Sequence, residues 1–399
     1  MGAPPRREIR IESDMMEPLS HHTDAVLCGD FLYLSGAAPL DTAARVIAPG
    51  DVVKQCEATC HNIELMLQAA DMTFQDIAHF KIFMEDVFDW RQIEPVCSGY
   101  LGEIRPSSTR VGIGHPAVPG MLMEIEAVAY KPRNGGPARR EIRCEELYNP
   151  LGYNVDVVVC GDFAFLSGTG PLDRAGNAVG FGDPVRQSHK TLENMQIMLD
   201  AAGMGFDDVA KVVYFLENVH DLKRVNIARK EFFGANRPVS TLVGGRRCVV
   251  PGMSHVVEAI AYKPLSGGSP RREIMVPDFQ EPLSHYCDGV QCGDFLFVSG
   301  QGPFDAAFVL DGTTMTDHAT RVHDNLALIM SEAGFGFDDV AKVTCYMDNC
   351  DEREELNGVR EKYFGASKPA STLLAVNRLA LPYMKVEIDA ICYQADAAT

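Results

Sequence analysis

The chain has 399 residues, of which 46% are hydrophobic, and a formal net charge of −19. This negative charge, without any run of basic residues, argues against a nucleic-acid partner, because phosphate binding requires a basic surface. No segment approaches the roughly 20 apolar residues of a membrane helix, and the polar start does not resemble a signal peptide, so we expect a cytoplasmic protein without a membrane partner.

The same short sequence motifs occur three times along the chain. Cys28-Gly29-Asp30-Phe31 returns at Cys160 and at Cys292, so the period is 160 − 28 = 132 and 292 − 160 = 132 residues. A period of this length is typical of a whole domain rather than of a solenoid or propeller repeat. Two linkers rich in Gly and Pro, 131–137 and 263–270, separate the copies. We therefore predict three fused copies of one domain, with boundaries 1–134, 135–266 and 267–399.

The second copy has the clearest pattern of helices and strands. Asp183 and Pro184 are typical of a helix start, and Gly203 of a helix end. The apolar patterns predict strands at 155–159, 163–166, 210–216, 240–244 and 255–262, and helices at 184–202 and 222–233. The order ββαβαββ indicates an α+β domain with both helices on one face of a sheet. The other sheet face then needs to be covered.

The last strand of each copy alternates between two kinds of side chain. In the first copy, Met123 and Ile125 share one side with Ala127 and Ala129, whereas Glu124 and Glu126 lie on the other. We expect the apolar side to pack under the helices and the amphipathic side to face sister domains or a site. The acidic residues expected to form hydrogen bonds or ion pairs between domains are Glu126, Glu258 and Asp389.

Twelve cysteines are present, but a chain of this size does not need disulfides for stability. Cys56, Cys60 and His61 come closest to a metal-binding cluster. This group recurs in neither other copy, and no second ligand pair follows it. We therefore favour buried free thiols over a metal site. Because no Gly-rich phosphate loop follows a strand either, we expect neither a metal nor an organic cofactor.

Four features recur in the three copies: the Ser-Gly-x-x-Pro turn, the Pro-x-Ser-Thr segment before a strand, the acidic last strand, and an asparagine in the first helix at Asn62, Asn194 and Asn325. Together these motifs resemble the Rid family of RidA-like proteins, also called the YjgF family. The resemblance implies a chorismate-mutase-like α+β domain that forms a trimer, with helices outside, sheets inside and ligand clefts between neighbours. Here one chain would supply all three domains as an intramolecular pseudo-trimer, monomeric or further self-associating.

The resemblance also implies an activity, which is the hydrolysis of reactive imines and enamines such as 2-aminoacrylate. Family members bind the substrate carboxylate through an arginine two residues after the proline of the Pro-x-Ser-Thr segment. This sequence has Ser108, Ser240 and Ser371 there. A hydroxyl does not replace a bidentate guanidinium, so we do not expect a simple 2-aminoacrylate substrate. The nearby arginines either take over this role or are solvated or structural; they are Arg110, Arg246, Arg247 and Arg378.

The family's acidic residue matches Glu124 and Glu387, whereas the second copy has Val256. Burial between domains would raise the pKa of these carboxyl groups, so we predict them as the catalytic acid/base groups. The family also has a tyrosine that enters the cleft from the facing subunit, which matches Tyr286. Its cleft asparagine matches Asn226 and Asn357. The serines of the Ser-Gly turn are either ligand contacts or turn residues. The predicted substrate contacts are His22, Ser35, Gly36, Ser108, Ser167, Gly168, Asn226, Ser240, Tyr286, Ser299, Gly300, Asn357, Ser371 and Arg378.

Three functions remain open at this point. The first is hydrolytic deamination of a small-molecule imine or enamine by a water molecule and a glutamate. The second is a lyase, tautomerase or cyclase reaction, because the same cleft can protonate an enol or enamine without hydrolysing it. The third is ligand binding or chaperone-like activity without catalysis, which three incomplete sites would permit.

Overall fold

The computed structural model describes residues 5–133, 135–265 and 268–395, and within them each copy forms one mixed sheet with two helices. The predicted order ββαβαββ is confirmed, and a short additional strand precedes it in every copy. The predicted domain boundaries involve residues 134, 266 and 267, which lie outside the described residues.

The first two copies contain thirteen strands and four helices among the described residues. In the first copy they are β1 (Arg7–Ile9), β2 (Ala25–Cys28), β3 (Phe31–Leu34), α1 (Val52–Gln68), β4 (Ile77–Met84), α2 (Trp90–Leu101), β5 (Ser107–Gly112), β6 (His115–Pro116) and β7 (Met123–Tyr130). In the second copy they are β8 (Arg140–Ile142), β9 (Val157–Cys160), β10 (Phe163–Thr169), α3 (Pro184–Ala202), β11 (Val209–Leu216), α4 (Leu222–Phe233), β12 (Val239–Gly244) and β13 (His255–Tyr262).

The third copy repeats this order. Its elements are β14 (Arg272–Ile274), β15 (Gly289–Cys292), β16 (Phe295–Gln301), α5 (Met315–Ala333), β17 (Val340–Met347), α6 (Arg353–Phe364), β18 (Ala370–Ala375), β19 (Arg378–Leu379) and β20 (Val386–Tyr393). In each sheet the last long strand lies between the second hairpin strand and the strand that follows the first helix. Strand β17 pairs in parallel with β18, as β4 does with β5 and β11 with β12.

The first helix of the second copy begins and ends where the sequence predicts. The side chain of Asp183 accepts hydrogen bonds from the backbone N–H groups of Val185 and Arg186, which caps the start of α3. Gly203 adopts φ = 75° at the other end, a left-handed conformation that favours glycine. The helix therefore has the predicted length.

The two faces of each sheet have different partners. Met123, Ile125, Ala127 and Ala129 of β7 pack into the core beneath the helices of the first copy, as predicted. On the opposite face, Phe31, Phe163 and Phe295 meet at the common axis, with ring centroids 5.5 to 5.8 Å apart. These are the phenylalanines of the Cys-Gly-Asp-Phe motif, so this repeated motif supplies the apolar contact at the centre of the molecule.

Buried ion pairs connect the domains around the same axis. Lys81 lies 2.8 Å from Glu126 of its own domain and 2.6 Å from Glu258 of the second domain. Lys211 reaches Asp389 of the third domain at 2.6 Å, and Lys342 reaches Glu126 of the first at 3.3 Å. The expected role of Glu126, Glu258 and Asp389 as partners between domains is therefore confirmed.

Backbone hydrogen bonds close the ring at its rim. The two residues of β6, from the first domain, pair with β18 of the third domain. The short strand β19 of the third domain pairs with β12 of the second. The N–H of Arg246, from the second domain, donates to the carbonyl of Gly112 in the first at 2.7 Å. Each domain therefore extends the sheet edge of one neighbour, in cyclic order.

We predict that the three domains of one chain satisfy these contacts among themselves. Light scattering should then report the mass of one chain, 43.7 kDa, or of a dimer of such units. The prediction is wrong if the protein is an obligate assembly of three chains that share domains.

Candidate active site

The predicted substrate contacts lie at the interfaces between domains, and each of these three sites is called a cleft and named by the two domains that form it. Clefts 2–3 and 1–2 each enclose a cavity, and the equivalent residues meet at cleft 3–1. Cleft 2–3 encloses about 670 Å³ including its open mouth. Ser240 and Leu242 of β12 and Arg229 of α4 form one wall. The third domain supplies the other wall, which includes Tyr286, Gly300, Gln301, Met384 and Glu387.

The serine of the Ser-Gly turn joins the two walls of each cleft. The hydroxyl of Ser299 donates to the carbonyl of Cys287 at 2.6 Å and accepts from the N–H of Ser240 at 2.9 Å. Both hydrogen bonds are internal to the protein, so the hydroxyl is bound to backbone on both sides of the interface. The other two clefts repeat the arrangement, with Ser35 between Thr23 and Ser371, and Ser167 between Val155 and Ser108.

The glycine that follows this serine allows a glutamate to approach the backbone. A Cβ atom at Gly300 would overlap the carboxylate of Glu387, and one at Gly36 would overlap that of Glu124. In cleft 1–2 the corresponding Gly168 lies against the side chain of Val256. The three predicted glycines are therefore in equivalent positions, and two of them face a carboxyl group.

Both glutamates are only 5% exposed. Burial raises the pKa of Glu387 to about 8, although a hydrogen bond from the backbone of Leu242 opposes the shift. Burial likewise raises the pKa of Glu124 to about 8, against the effect of Lys342. Near pH 7 both groups are therefore mainly protonated, and they are able to donate a proton.

The residue at the position of Tyr286 differs among the clefts, with His22 and Asn154 in the other two. Burial raises the pKa of Tyr286 in cleft 2–3 to about 12, so its phenol keeps its proton. Burial, together with the charge of Arg360, lowers the pKa of His22 in cleft 3–1 to about 3, so the imidazole is neutral. In cleft 1–2 the side-chain oxygen of Asn154 accepts from Arg110 at 3.2 Å.

Asn226 and Asn357 bind the loop of the next domain. Asn226 accepts a hydrogen bond from the hydroxyl of Ser284, and Asn357 accepts one from the N–H of His21. Glu94 occupies the corresponding position in the first domain and accepts from the N–H of Tyr153. These side chains hold the loops that carry the cleft residues, and direct contact of the two asparagines with a substrate stays a prediction.

The remaining predicted contacts have different surroundings. Ser108 and Ser240 line clefts 1–2 and 2–3, and the hydroxyls of Ser108 and Ser371 are buried without a hydrogen-bond partner among the described residues. Arg378, in contrast, is exposed, and its backbone pairs with Gly244 at the rim. The structure does not place it among the residues that line cleft 2–3.

Two arginines that the sequence interpretation did not single out are part of the clefts. Arg229 lines cleft 2–3, and Arg360 contacts the His21 loop beside cleft 3–1. Both lie at the same place in the second helix of their copy. Arg229 lies one turn after the buried Val225, but a charged residue on a helix is ordinarily exposed, so the sequence pattern does not single it out.

A third cysteine joins the pair noted in the sequence. The sulfur atoms of Cys56, Cys60 and Cys97 lie within 4.8 Å of one another between α1 and α2. Hydrogen bonds with the other two thiols, together with burial, raise the pKa of Cys56. Hydrogen bonds from Cys56 and Cys60 lower the pKa of Cys97 instead, so the three thiols form one hydrogen-bonded group.

Three α+β domains closed around one axis, with a cleft at each interface, define a covalently fused trimer. A family model described as Endoribonuclease L-PSP matches residues 12–131, 145–263 and 278–394. The chain belongs to this family, the Rid family, and carries three tandem copies of its domain.

The curated relatives each match about one domain of this chain. A RutC family protein of Pyrococcus horikoshii is 33% identical over 30% of this chain and 96% of its own length. The 3-aminoacrylate deaminase RutC of Acinetobacter baylyi is 30% identical over 31% and 98%. The 2-iminobutanoate/2-iminopropanoate deaminase of Dermatophagoides farinae is 27% identical over 31% and 96%. Relatives of single domains are therefore named as deaminases of imines and aminoacrylates.

No helix within the described parts of the chain is both long and apolar enough to cross a membrane.

The buried glutamates predict a pH dependence of stability. The ordinary pKa of a glutamate is 4.5, and that of folded Glu124 and Glu387 is about 8. Between these values the two carboxyls are protonated in the folded state and ionised in the unfolded state, so their contribution to the free energy of unfolding falls as pH rises from about 5 to 8. Each carboxyl contributes at most about 1.4 kcal/mol per pH unit.

Urea unfolding at several pH values measures this slope. The Glu124→Gln/Glu387→Gln double variant should lose much of it, while the exposed control Glu332→Gln keeps it. Equal slopes for the double variant and the wild type would contradict the assignment.

We predict that the three thiols hold no stoichiometric transition metal, because within the described residues the group offers three ligands and no fourth. Elemental analysis of purified protein tests this. One equivalent of a metal that survives chelation and is lost in Cys97→Ser would overturn the prediction.

Proposed function

We propose that the protein hydrolyses a small-molecule imine or enamine to a carbonyl compound and ammonia, with Glu387 and Glu124 as the acid/base groups. The observation that carries this proposal is the position of two buried carboxyl groups with raised pKa against the Ser-Gly backbone of clefts 2–3 and 3–1. Such groups are protonated near neutral pH and lie where a ligand contacts both domains.

In this mechanism the protonated glutamate donates its proton to the β-carbon of the enamine, which gives the iminium ion. The resulting carboxylate orients a water molecule and takes a proton from it as its oxygen attacks the C=N carbon. The same group gives that proton to the carbinolamine nitrogen. As the C–N bond breaks and ammonia leaves, the carboxylate takes the proton of the new hydroxyl group, so that the C=O bond forms and the glutamate is protonated again. The sum of these steps is enamine plus water to carbonyl compound plus ammonia. General acid/base catalysis of this kind contributes roughly 10²- to 10⁴-fold in rate.

The other residues of the clefts exclude water and orient the ligand. Tyr286 offers a neutral phenol and His22 a neutral imidazole, both able to donate or accept a hydrogen bond. The Pro-x-Ser hydroxyls, which have free hydrogen-bonding capacity at Ser108 and Ser371, then adjust which ligand fits. The names of the single-domain relatives, deaminases of aminoacrylate and of 2-imino acids, support this class of reaction.

We further propose that the three clefts are unequal. Val256 stands in cleft 1–2 where the other two have a glutamate. An isopropyl group neither donates a proton nor orients water, so we assign the chemistry to clefts 2–3 and 3–1. Covalent fusion makes this possible, since each domain changes independently while its partners stay at high effective concentration.

We expect the Glu124→Gln/Glu387→Gln double variant to lose at least about 100-fold in rate, and each single variant to keep the activity of one cleft. The substrates are imines generated in situ by oxidation of amino acids and of amines that lack a carboxylate. The product measured is ammonia. Glu332→Gln is the matched control and Val256→Ala the control for cleft 1–2, and both should keep full turnover.

Circular dichroism verifies that each variant is folded. A folded double variant with full activity would disprove the mechanism. Conversion of an enamine without release of ammonia would instead indicate a tautomerase or lyase.

A further inference from the structure

The second helices of the second and third domains each bury an arginine at a cleft. Arg229 is 1% exposed and Arg360 is not exposed at all. Arg229 lines cleft 2–3 together with Ser240, Tyr286 and Glu387. The charge of Arg229 also acts on the phenol of Tyr286, and that of Arg360 on the imidazole of His22. The two guanidinium groups therefore lie beside the proposed reacting groups of their clefts.

The hydrogen bonds of these groups leave donors unused. Arg229 donates through Nη2 to the carbonyl of His285 at 3.2 Å. Arg360 donates to the carbonyl of His21 at 2.9 Å and to the hydroxyl of Ser20 at 3.3 Å. The Nε atoms of both arginines are buried without a partner. A guanidinium has five N–H donors, so each arginine keeps several for a ligand.

The positive charges are not balanced by the protein. Within residues 5–133, 135–265 and 268–395, neither guanidinium forms an ion pair with a carboxylate. Apart from its hydrogen bond to His285, Arg229 lies over the ring of Tyr214, whose centroid is 4.7 Å from the guanidinium carbon. Burial lowers the pKa of both arginines, yet a guanidinium remains charged in proteins. An unpaired buried charge is costly, and an anionic ligand would balance it.

Cleft 1–2 also contains a guanidinium group, but there a carboxylate neutralises its charge. The helix position of Arg229 is occupied by Cys97, and a guanidinium enters instead from β5, as Arg110. Its Nη2 atom lies 2.9 Å from the carboxylate of Glu94. The chain therefore offers an internal comparison of two clefts with an unpaired guanidinium and one with a paired guanidinium.

We propose that Arg229 and Arg360 are specificity-determining residues that bind the carboxylate of the ligand in clefts 2–3 and 3–1, and that Glu94 prevents the same binding in cleft 1–2. Planar bidentate donors suit a carboxylate. One positive charge per cleft matches a single negative charge better than the two of a phosphate. The helix arginines thus supply the charge that is absent from the strand positions Ser240 and Ser371.

This inference rests on the proposed function for the identity of the ligand, an imine derived from a 2-amino acid, but its test does not use turnover. The probe is pyruvate, which has the carboxylate and planar carbonyl carbon of such a ligand, compared with the uncharged pyruvamide. Calorimetry gives the affinity, and crystals soaked in pyruvate identify the occupied clefts.

Wild-type protein should bind two pyruvate molecules per chain, in clefts 2–3 and 3–1, and should bind pyruvamide more weakly. The Arg229→Gln/Arg360→Gln double variant should lose about tenfold or more in affinity for pyruvate while its affinity for pyruvamide stays the same. The Arg229→Lys/Arg360→Lys variant should keep part of the pyruvate affinity, since its charge is retained.

Arg229 and Arg360 also hold the loops of His285 and His21. A further variant therefore tests the proposal while both arginines are kept. Glu94→Gln keeps an oxygen that accepts from the N–H of Tyr153 but no longer neutralises Arg110. It should create a third pyruvate site, in cleft 1–2, whereas the exposed control Glu103→Gln should not. A merely structural arginine would not produce this gain.

The proposal is overturned if wild-type protein does not bind pyruvate at millimolar concentration, if the folded glutamine double variant binds it unchanged, or if Glu94→Gln gains no site. Failure of the proposed function gives a different pattern, in which pyruvate binding follows the arginines but no imine is hydrolysed.

Discussion

A sheet with helices on only one face must have its second face covered, and the rest of this structure depends on how that is done. Each domain covers the second sheet face of its neighbours. The contact is apolar at the axis, and buried ion pairs lie around this apolar centre. Lys81, Lys211 and Lys342 cross the interfaces to reach carboxylates of other domains. Buried ion pairs of this kind contribute little net stability, whereas loss of one partner costs about 3–5 kcal/mol. They therefore select one arrangement of the three domains.

The ion pairs around the axis also show how the sequence of one copy can change while the interface is kept. In the first domain His79 stands where the other copies have Lys211 and Lys342, and the lysine is two residues further on, at Lys81. A shift of two residues keeps a side chain on the same face of a strand. Lys81 consequently still reaches carboxylates, and now contacts two of them. The guanidinium of Arg110 in cleft 1–2 is a parallel case, because the charge comes from β5 instead of a helix.

Much of the fold was accessible from the sequence because the signals are local. The cap at Asp183, the glycine at 203 and the alternation of β7 each depend on neighbouring residues only. The strand exchange through β6 and β19 was not predicted, since strands of two residues have no periodicity and their partners lie in other domains. Glu124 and Glu387 could be identified by resemblance and alternation. Arg229 and Arg360 could not, because a charged residue on a helix is ordinarily exposed, and only the neighbouring domain buries these two.

The meeting of Phe31, Phe163 and Phe295 at the axis has a consequence for how such a chain can evolve. Each of these rings touches both of the others, so a change of size in one copy has to be matched in two more copies at once. A cleft, in contrast, belongs to two copies, and a cavity tolerates a new side chain without a matching change. Substitutions therefore accumulate at the clefts while the axis stays uniform. The three copies accordingly share Cys-Gly-Asp-Phe and differ at cleft positions such as that of Glu124, Val256 and Glu387.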